Sequence, residues 1–307
     1  MGTTYTVKVA DPPADLNPDE LKATIERVLE KVNDQMSTYR VDSELSKLNS
    51  NTSIQWIDSS ADLLTVVEEA LRVSRLTDGA FDVTVGPLVN LWGFGPGKRA
   101  NRVPSQQQIS QAMSRVGYTK LSTRRSPPAI KKTRSDVSID LSAIAKGYGV
   151  DKVAERLESL AVHNYMVEIG GDLRAKGHNL DGTPWKIGIE KPIPGPRAVQ
   201  LIIQLQDKGM ATSGDYRNFF EKDGQRFSHT INPRKGTPVT HNLVSVTVLS
   251  PTAMGADAMA TALLVMGPET GFALAERERL AAYFISRAAD DEFVDRSTSR
   301  FKQSIAH

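Results

Sequence analysis

The chain has 307 residues, of which 39% are apolar and 24% are charged, as is ordinary for a globular protein with a sizeable buried core. Its formal net charge of +2 does not favour a nucleic acid as a partner, and the absence of cysteine excludes disulfides, thiolate nucleophiles and cysteine-bound metal clusters. No apolar run reaches the roughly 18 residues that a transmembrane helix needs, so none is predicted.

The N-terminal part is predicted to hold one strand and two helices. Residues 3–9 alternate and are rich in β-branched side chains, which favours a strand. An Asn-Pro-x-Glu capping sequence predicts a helix over about 18–36. Apolar residues at helical spacing predict a second helix from about Ser60 to the Asp-Gly turn at 78–79.

The middle of the chain is predicted to be irregular, with one short helix. The glycine-rich residues 92–97 indicate a loop. Ser105 and Gln108 form a capping box, which predicts a short helix that stops at Gly117. Residues 124–134 carry five basic side chains and two prolines, and we interpret them as a solvated hairpin tip.

The C-terminal half alternates strands with two further helices. The helices are expected from 143 to about 160, and from a Ser-Pro cap at 250–251 to Gly267. Strands are expected at 137–141, 165–169, 185–189, 199–205, 243–249 and, as the last, 281–286. Short turns between several strands favour antiparallel pairing. The sequence therefore predicts a mixed α+β fold, with largely antiparallel sheets covered by helices in one compact, two-lobed unit.

Two residues of the last predicted helix are candidate ligands of a metal ion. Asp257 and Thr261 are four apart and share a helix face, and their oxygens suit a hard cation such as Mg²⁺. The alternative is an exposed aspartate beside an unrelated threonine. Most of this helix is apolar, and a buried unpaired aspartate is costly, which weakens that alternative.

Two further segments hold candidates for phosphate binding and proton transfer. Residues 138–149 run from a predicted strand into a helix, so Lys146 would face an anion at the helix N-terminus, unless the segment is an ordinary β–α junction with a surface lysine. His229 lies at a strand end before a Pro-Gly turn and is a candidate general base, with a structural histidine as the alternative.

Two stretches of small or aromatic residues allow either a ligand contact or a purely structural role. Residues 211–217 would approach a phosphate closely or turn a corner of the chain. Tyr39 would stack on a flat ligand or pack on the core at a helix end.

Together these segments resemble the ApbE family of flavin transferases, in the family's order and across nearly the whole chain. The motifs that carry the resemblance are MGT at 1–3, STYRxDSExSxLN at 37–49, TDGAFDxTVGPLVxLWGFG at 77–95, DLSAIAKGYGVD at 140–151, EIGGDLRAKG at 168–177, ATSGDYRNFF from 211, SHTINPRKGTPV from 228 and SVTVLSPTAMGADAMATAL ending at 263.

The resemblance implies a single flavin transferase domain over 1–307 with a T-fold-like core. It also implies site residues. The candidates for FAD contact are Met1, Tyr39, Ala80, Phe81, Asp82, Asp140, Lys146 and Ile231. The candidates for holding a magnesium ion are Asp257, Thr261 and the backbone carbonyl of Ala143.

The activity implied is Mg²⁺-dependent transfer of FMN from FAD to a threonine of an acceptor flavoprotein, through a phosphoester bond and with release of AMP. The implied partner is a flavin-carrying subunit of a membrane redox pump. Family members are typically periplasmic and often lipid-anchored, so we expect a periplasmic protein whose only link to the membrane is an anchor lost from this chain. Two alternatives stay open: hydrolysis of FAD to FMN and AMP, and storage of FAD without turnover.

Overall fold

The chain folds into two compact units that interleave in sequence. Unit 1 comprises Met1–Val32, Ile144–Tyr216 and Asn242–His307, and unit 2 comprises Asn33–Ala143 and Arg217–His241. The structure is a computed structural model, and it describes residues 2–95, 103–193, 198–215, 218–222, 224–289 and 292–305.

Unit 1 is built on a seven-stranded sheet in which every neighbouring pair of strands is antiparallel. Across the sheet the order is β1 (Tyr5–Ala10), β5 (Asn164–Ile169), β6 (Asp172–Lys176), β9 (Lys208–Gly214), β14 (Leu243–Ser250), β15 (Ala281–Arg287) and β16 (Phe293–Ser297). A separate antiparallel pair is formed by β7 (Trp185–Glu190) and β8 (Val199–Leu205).

Helices cover this sheet and bury two apolar clusters. The helices that lie in unit 1 are most of α1 (Pro18–Met36), together with α6 (Ala145–Ser159), α7 (Ala253–Met266), α8 (Pro268–Arg277) and α9 (Ser299–Ile305). One cluster joins α1 and α6 to β1 and β5 around the fully buried Tyr165. The other includes Trp185, Tyr283 and Phe301. Burial of these faces supplies the main driving force for the unit.

Unit 2 holds short helices and small sheets. Its helices are α2 (Glu44–Ser50), α3 (Ala61–Leu76), α4 (Gly86–Leu91) and α5 (Gln106–Met113). A three-stranded antiparallel sheet has the order β2 (Trp56–Asp58), β4 (Pro128–Lys132) and β3 (Leu121–Arg125). Two further hairpins pair β10 (Phe219–Lys222) with β11 (Gln225–Ser228) and β12 (Ile231–Asn232) with β13 (Thr237–Pro238).

Several sequence predictions are confirmed at the level of individual caps. Helix α1 begins at Pro18 and ends at Met36, as predicted. Helix α3 follows an N-cap at Ser60, and its predicted apolar face is buried. The capping box of Ser105 and Gln108 is formed in both directions. The mixed α+β class with antiparallel sheets is also confirmed.

Other local predictions are wrong, and in one of them tertiary contacts replace the expected strand partners. Residues 137–141 form no strand. Their hydrogen bonds go to the side chain of Asn49 and to the carbonyl of Val83 instead of to a neighbouring strand. Residues 211–214 belong to β9 and are not a turn, and Thr252, not the Ser-Pro pair before it, caps α7.

The basic hairpin and the last strand also differ from expectation. The hairpin of β3 and β4 forms as predicted, but Lys132 within it is fully buried, and its ammonium donates to the carbonyls of Leu48 and Asn51 at the end of α2. Cations are favourable at helix C-termini, which explains the burial. Strand β16 follows β15, which was expected to be last. In the part of the chain that the structure describes, no helix combines the length and apolar character needed to cross a bilayer.

Candidate functional site

Helix α7 of unit 1 presents Asp257 from an almost entirely buried segment. The hydroxyl of Thr252 caps the helix by accepting a hydrogen bond from the Gly255 N–H at 3.1 Å, and Gly267 ends it. Asp257 is only 3% exposed. The prediction of a buried helix is confirmed, and the alternative of an exposed aspartate is wrong.

Two glycines allow α6 and β9 to approach the start of α7 closely. A Cβ atom on Gly147 would lie 2.3 Å from the carbonyl oxygen of Ala253, and one on Gly209 would lie 2.3 Å from the nitrogen of the same residue. No side chain fits at such distances. The absence of a Cβ therefore lets Lys146, the neighbour of Gly147, reach α7.

Asp151 ties α6 to the first turn of α7. Its carboxylate accepts from the N–H groups of Ala253 at 3.0 Å and Met254 at 2.9 Å, and Arg174 donates to it at 3.1 Å. Burial raises the pKa of Asp151, although the three donors act in the opposite direction. Sequence reasoning did not single out Asp151, whose only signal was its place at the end of the DLSAIAKGYGVD motif.

Lys146 lies between two buried carboxylates of unit 1. Its ammonium donates to Asp172 at 2.6 Å and to both oxygens of Asp257 at 3.3 Å. The N–H of Gly147 donates to Asp257 at 3.2 Å. Lys146 is therefore not an ordinary surface lysine. Asp172, which is 1% exposed at the start of β6, was missed at the sequence level, because it lies in a different motif from both partners.

Burial and the neighbouring charges shift the pKa values of Lys146 and Asp172. Burial would lower the pKa of Lys146, but the charges of Asp257 and Asp172 outweigh it and raise that pKa above its ordinary value. Burial and the nearby charge of Asp257 raise the pKa of Asp172, and Lys146 offsets this only in part. With both carboxylates ionised, two negative charges face one positive charge.

Hydroxyl groups extend this cluster. Thr261 lies one turn after Asp257 on α7, and its hydroxyl is 2.9 Å from that of Ser213 on β9. Within the described ranges, no group of three acidic, histidine or cysteine side chains is arranged to bind a metal ion. The donor set is thus oxygen-only with few carboxylates. It fits Mg²⁺, which commonly takes one or two carboxylates and completes its shell with water and substrate phosphates.

His229 lies in unit 2 directly after β11, so its predicted place at a strand end is confirmed. Its ring is in edge contact with Phe94 at 6.3 Å between centroids. Ring atom Nδ1 is 3.0 Å from the carbonyl oxygen of Asn218, which also accepts the His229 backbone N–H. A carbonyl only accepts, so Nδ1 carries the proton and the neutral ring has its lone pair on Nε2.

The loop that contains Ala80, Phe81 and Asp82 is also in unit 2 and is buried. One oxygen of Asp82 accepts from the N–H and hydroxyl of Thr84 at 2.8 and 2.6 Å, and the other accepts from the Tyr118 N–H at 2.7 Å. Burial raises the pKa of Asp82, and these donors oppose the rise. The side chain of Asp82 is therefore engaged in shaping its own loop.

The remaining predicted site residues that the structure describes belong to unit 2. Tyr39 is 72% exposed, so the alternative in which it packs on the core is wrong. The carboxylate of Asp140 accepts from the N–H and hydroxyl of Ser142, and Ile231 is buried. Ala143 lies in the turn before α6. Met1 lies outside the described residues.

Comparison with known proteins gives consistent matches over most of the chain. A family model described as the ApbE family matches residues 1–284. An FAD:protein FMN transferase of Haemophilus influenzae is 49% identical over 99% of this chain and 89% of its own length.

Solved structures agree with these sequence matches. A flavin transferase ApbE from Vibrio cholerae matches with a TM-score of 0.91 and 47% identity, over 99% of this chain and 96% of that chain. An apo flavinyl transferase ApbE from Pseudomonas stutzeri matches with a TM-score of 0.91 and 42% identity, over 100% of this chain and 95% of that chain.

Proposed function

The chain belongs to the ApbE family, and on that premise we propose that it transfers FMN from FAD to a threonine hydroxyl of an acceptor protein, with Mg²⁺ as cofactor and AMP as leaving group. It is an FAD:protein FMN transferase. The observation that carries the Mg²⁺ dependence is the buried pair of Asp257 and Asp172 with a single ammonium between them. When both carboxylates are ionised, they carry one negative charge more than the ammonium neutralises, and a divalent cation beside the hydroxyl of Thr261 would balance it.

The side chains of Asp257 and Thr261 in unit 1 would hold the ion, and the family resemblance adds the backbone carbonyl of Ala143. When bound, Mg²⁺ neutralises the diphosphate of FAD and orients it. Lys146 would add a fixed positive charge at the same phosphates, where it stabilises the charge that develops during transfer. We assign contacts with FAD to Met1, Tyr39, Ala80, Phe81, Asp82, Asp140 and Ile231, following the family resemblance.

The proposed reaction forms one bond and breaks one. The threonine oxygen of the acceptor bonds to the FMN-side phosphorus of FAD, and the bond from that phosphorus to the bridging oxygen breaks, so that AMP leaves with the electron pair. The threonine proton passes to Nε2 of His229, whose tautomer is set by Asn218. A positioned base of this kind typically contributes about 10²–10⁴-fold.

In-gel flavin fluorescence tests this proposal. The chain is incubated with FAD, Mg²⁺ and an acceptor domain that carries an accessible threonine, and the products are separated under denaturing conditions. We expect a fluorescent acceptor band that disappears with EDTA and in Asp257→Asn. Asp181→Asn, in an exposed loop, is the matched control and should leave the band unchanged.

Other outcomes would redirect the proposal. A dark acceptor with Mg²⁺-dependent release of AMP indicates an FAD hydrolase. A dark acceptor with FAD bound and intact indicates a storage protein. A band that persists in EDTA contradicts the proposed cofactor.

We also propose a periplasmic location and a flavin-carrying subunit of a membrane redox pump as the acceptor. Both proposals follow from the family resemblance. Cell fractionation of the native protein tests the first. Recovery of covalent FMN on a redox-pump subunit in cells that contain this chain, and its loss in cells without it, tests the second.

A further inference from the structure

The ammonium of Lys146 is shared unequally between its two carboxylates. It lies 2.6 Å from one oxygen of Asp172, at the short end of charge-assisted hydrogen bonds. Both oxygens of Asp257 are 3.3 Å away, which is a longer and divided contact. Asp172 is therefore the main partner of Lys146, and Asp257 is the looser one.

The two carboxylates are also fixed differently. Asp172 is the first residue of β6, directly after the Gly170-Gly171 turn, and lies opposite Ile169 of β5 in the antiparallel pair. Asp257 is one turn into α7, and its carboxylate accepts from the N–H of Gly147 at 3.2 Å and from the ammonium of Lys146 at 3.3 Å. Asp172 on the sheet therefore holds the Lys146 ammonium, while the carboxylate oxygens of Asp257 on α7 are able to coordinate a cation.

We propose that Asp172 is a positioning residue, which keeps the Lys146 ammonium in place when Asp257 turns its oxygens to the magnesium ion. This inference rests on the proposed function. A divalent ion at Asp257 repels the nearby ammonium, and the negative charge of Asp172 offsets that repulsion. Without Asp172 the lysine has Asp257 as its remaining carboxylate partner in this cluster, and it competes with the ion for those oxygens.

The net charge of Lys146, Asp172 and Asp257 helps to distinguish a positioning role from a simple effect of charge. The three side chains carry −1 together when all are ionised. Asp172→Asn brings the sum to zero, Lys146→Met brings it to −2, and the double variant restores −1. If each charge acted on the ion independently, the affinity for a divalent ion would follow this sum, and the double variant would bind like the wild type. If Asp172 acts through Lys146, its loss has no effect once the lysine is gone, so we expect Lys146→Met and the double variant to bind most tightly and equally, then the wild type, and Asp172→Asn last.

Binding of Mn²⁺ alone, followed by the loss of its free-ion electron paramagnetic resonance signal, tests this order without any turnover. Asp172→Asn should bind Mn²⁺ at least about tenfold more weakly than the wild type, because one unit of charge is lost within a few ångströms. The double variant should bind Mn²⁺ within about threefold of Lys146→Met. Glu155→Gln, on the exposed side of α6, should bind as the wild type does.

Each other result overturns the inference. If the double variant binds more weakly than Lys146→Met, Asp172 acts as a ligand, through its own charge or as a structural residue, and not through Lys146. If Asp172→Asn binds normally, it has no positioning role. A wild-type chain that binds no Mn²⁺ by itself shows that the site is not preformed.

An Asp257→Asn sample measured in parallel separates this inference from the proposed function. If Asp257→Asn binds Mn²⁺ like the wild type, the metal site of the proposed function is wrong. If Asp257→Asn loses binding and Asp172→Asn does not, only the positioning role fails. Thermal unfolding of every variant identifies any that has lost its fold, and the double variant then decides through its recovery relative to Asp172→Asn.

Discussion

The side-chain amide of Asn49 pairs with both backbone groups of Ile139. Its nitrogen donates to the Ile139 carbonyl at 2.8 Å, and its oxygen accepts from the Ile139 N–H at 2.7 Å. One side chain thus takes the place of a neighbouring strand. The next residue, Asp140, donates its N–H to the carbonyl of Val83 at 2.7 Å. A candidate FAD contact is therefore held by bonds to other parts of unit 2.

Asn49→Ala removes both bonds to Ile139. The free energy of unfolding should fall by about 1–3 kcal/mol, because two part-buried backbone groups lose their partner. FAD binding, followed by quenching of flavin fluorescence, should weaken as well. Ser50→Ala, exposed on the same helix, is the control and should change neither quantity. A stability within about 0.5 kcal/mol of the wild type would contradict the assignment.

Asp151→Asn weakens the cap that α6 provides to α7. The carboxylate there accepts two backbone N–H groups and faces the positive end of a helix, so its loss should cost about 1–2 kcal/mol of unfolding free energy. Urea denaturation measures this, with Glu155→Gln as the control on the same helix. Equal midpoints for Asp151→Asn and the control would count against the cap.

The variant His229→Asn distinguishes a role of His229 in proton transfer from a structural role. The asparagine amide is able to keep the hydrogen bond to the carbonyl of Asn218, but it supplies no base. The rate of FMN transfer should fall by about 10²–10⁴-fold, while the affinity for FAD stays close to that of the wild type. A time course of acceptor fluorescence measures the rate. Transfer at the normal rate would remove His229 from the mechanism.

Glu158 should make unit 1 sensitive to acid. Burial would raise its pKa, but hydrogen bonds from Tyr165 at 2.5 Å and Lys176 at 3.1 Å, together with Arg174, lower it below the ordinary 4.5. A carboxyl whose pKa is lower in the fold stabilises the fold above its unfolded pKa. That contribution is lost as the pH falls through the folded pKa.

Glu158→Gln tests this sign. At pH 7 the variant should be less stable than the wild type by about 1 kcal/mol, and the difference should shrink as the pH falls below about 4.5. Denaturation at a series of pH values gives both curves. A difference that grows on acidification would mean that the pKa of Glu158 is raised in the fold.

Errors in the sequence-based predictions cluster where a distant residue supplied the hydrogen bond. Residues 137–141 have the composition of a strand, yet Asn49, 90 residues away in sequence, pairs with Ile139. The basic neighbours of Lys132 predicted a solvated hairpin tip, yet its side chain is buried and donates to carbonyls at the end of α2. In both cases the hydrogen-bond partner is distant in sequence, so no local sequence pattern could predict it.

Features that depend on neighbours three or four residues apart could be predicted from the amino-acid sequence alone. The start of α1 at Pro18 and the capping box of Ser105 follow from such local bonds, and the ordered motifs sufficed to identify the family. The pairing of the charged side chains could not be predicted in this way, because it depends on contacts between segments that are distant in sequence. Lys146 is 26 residues from Asp172 and 111 from Asp257. They meet because the sheet places β6 near α6, and because glycines let α6 lie against α7, which no local pattern encodes.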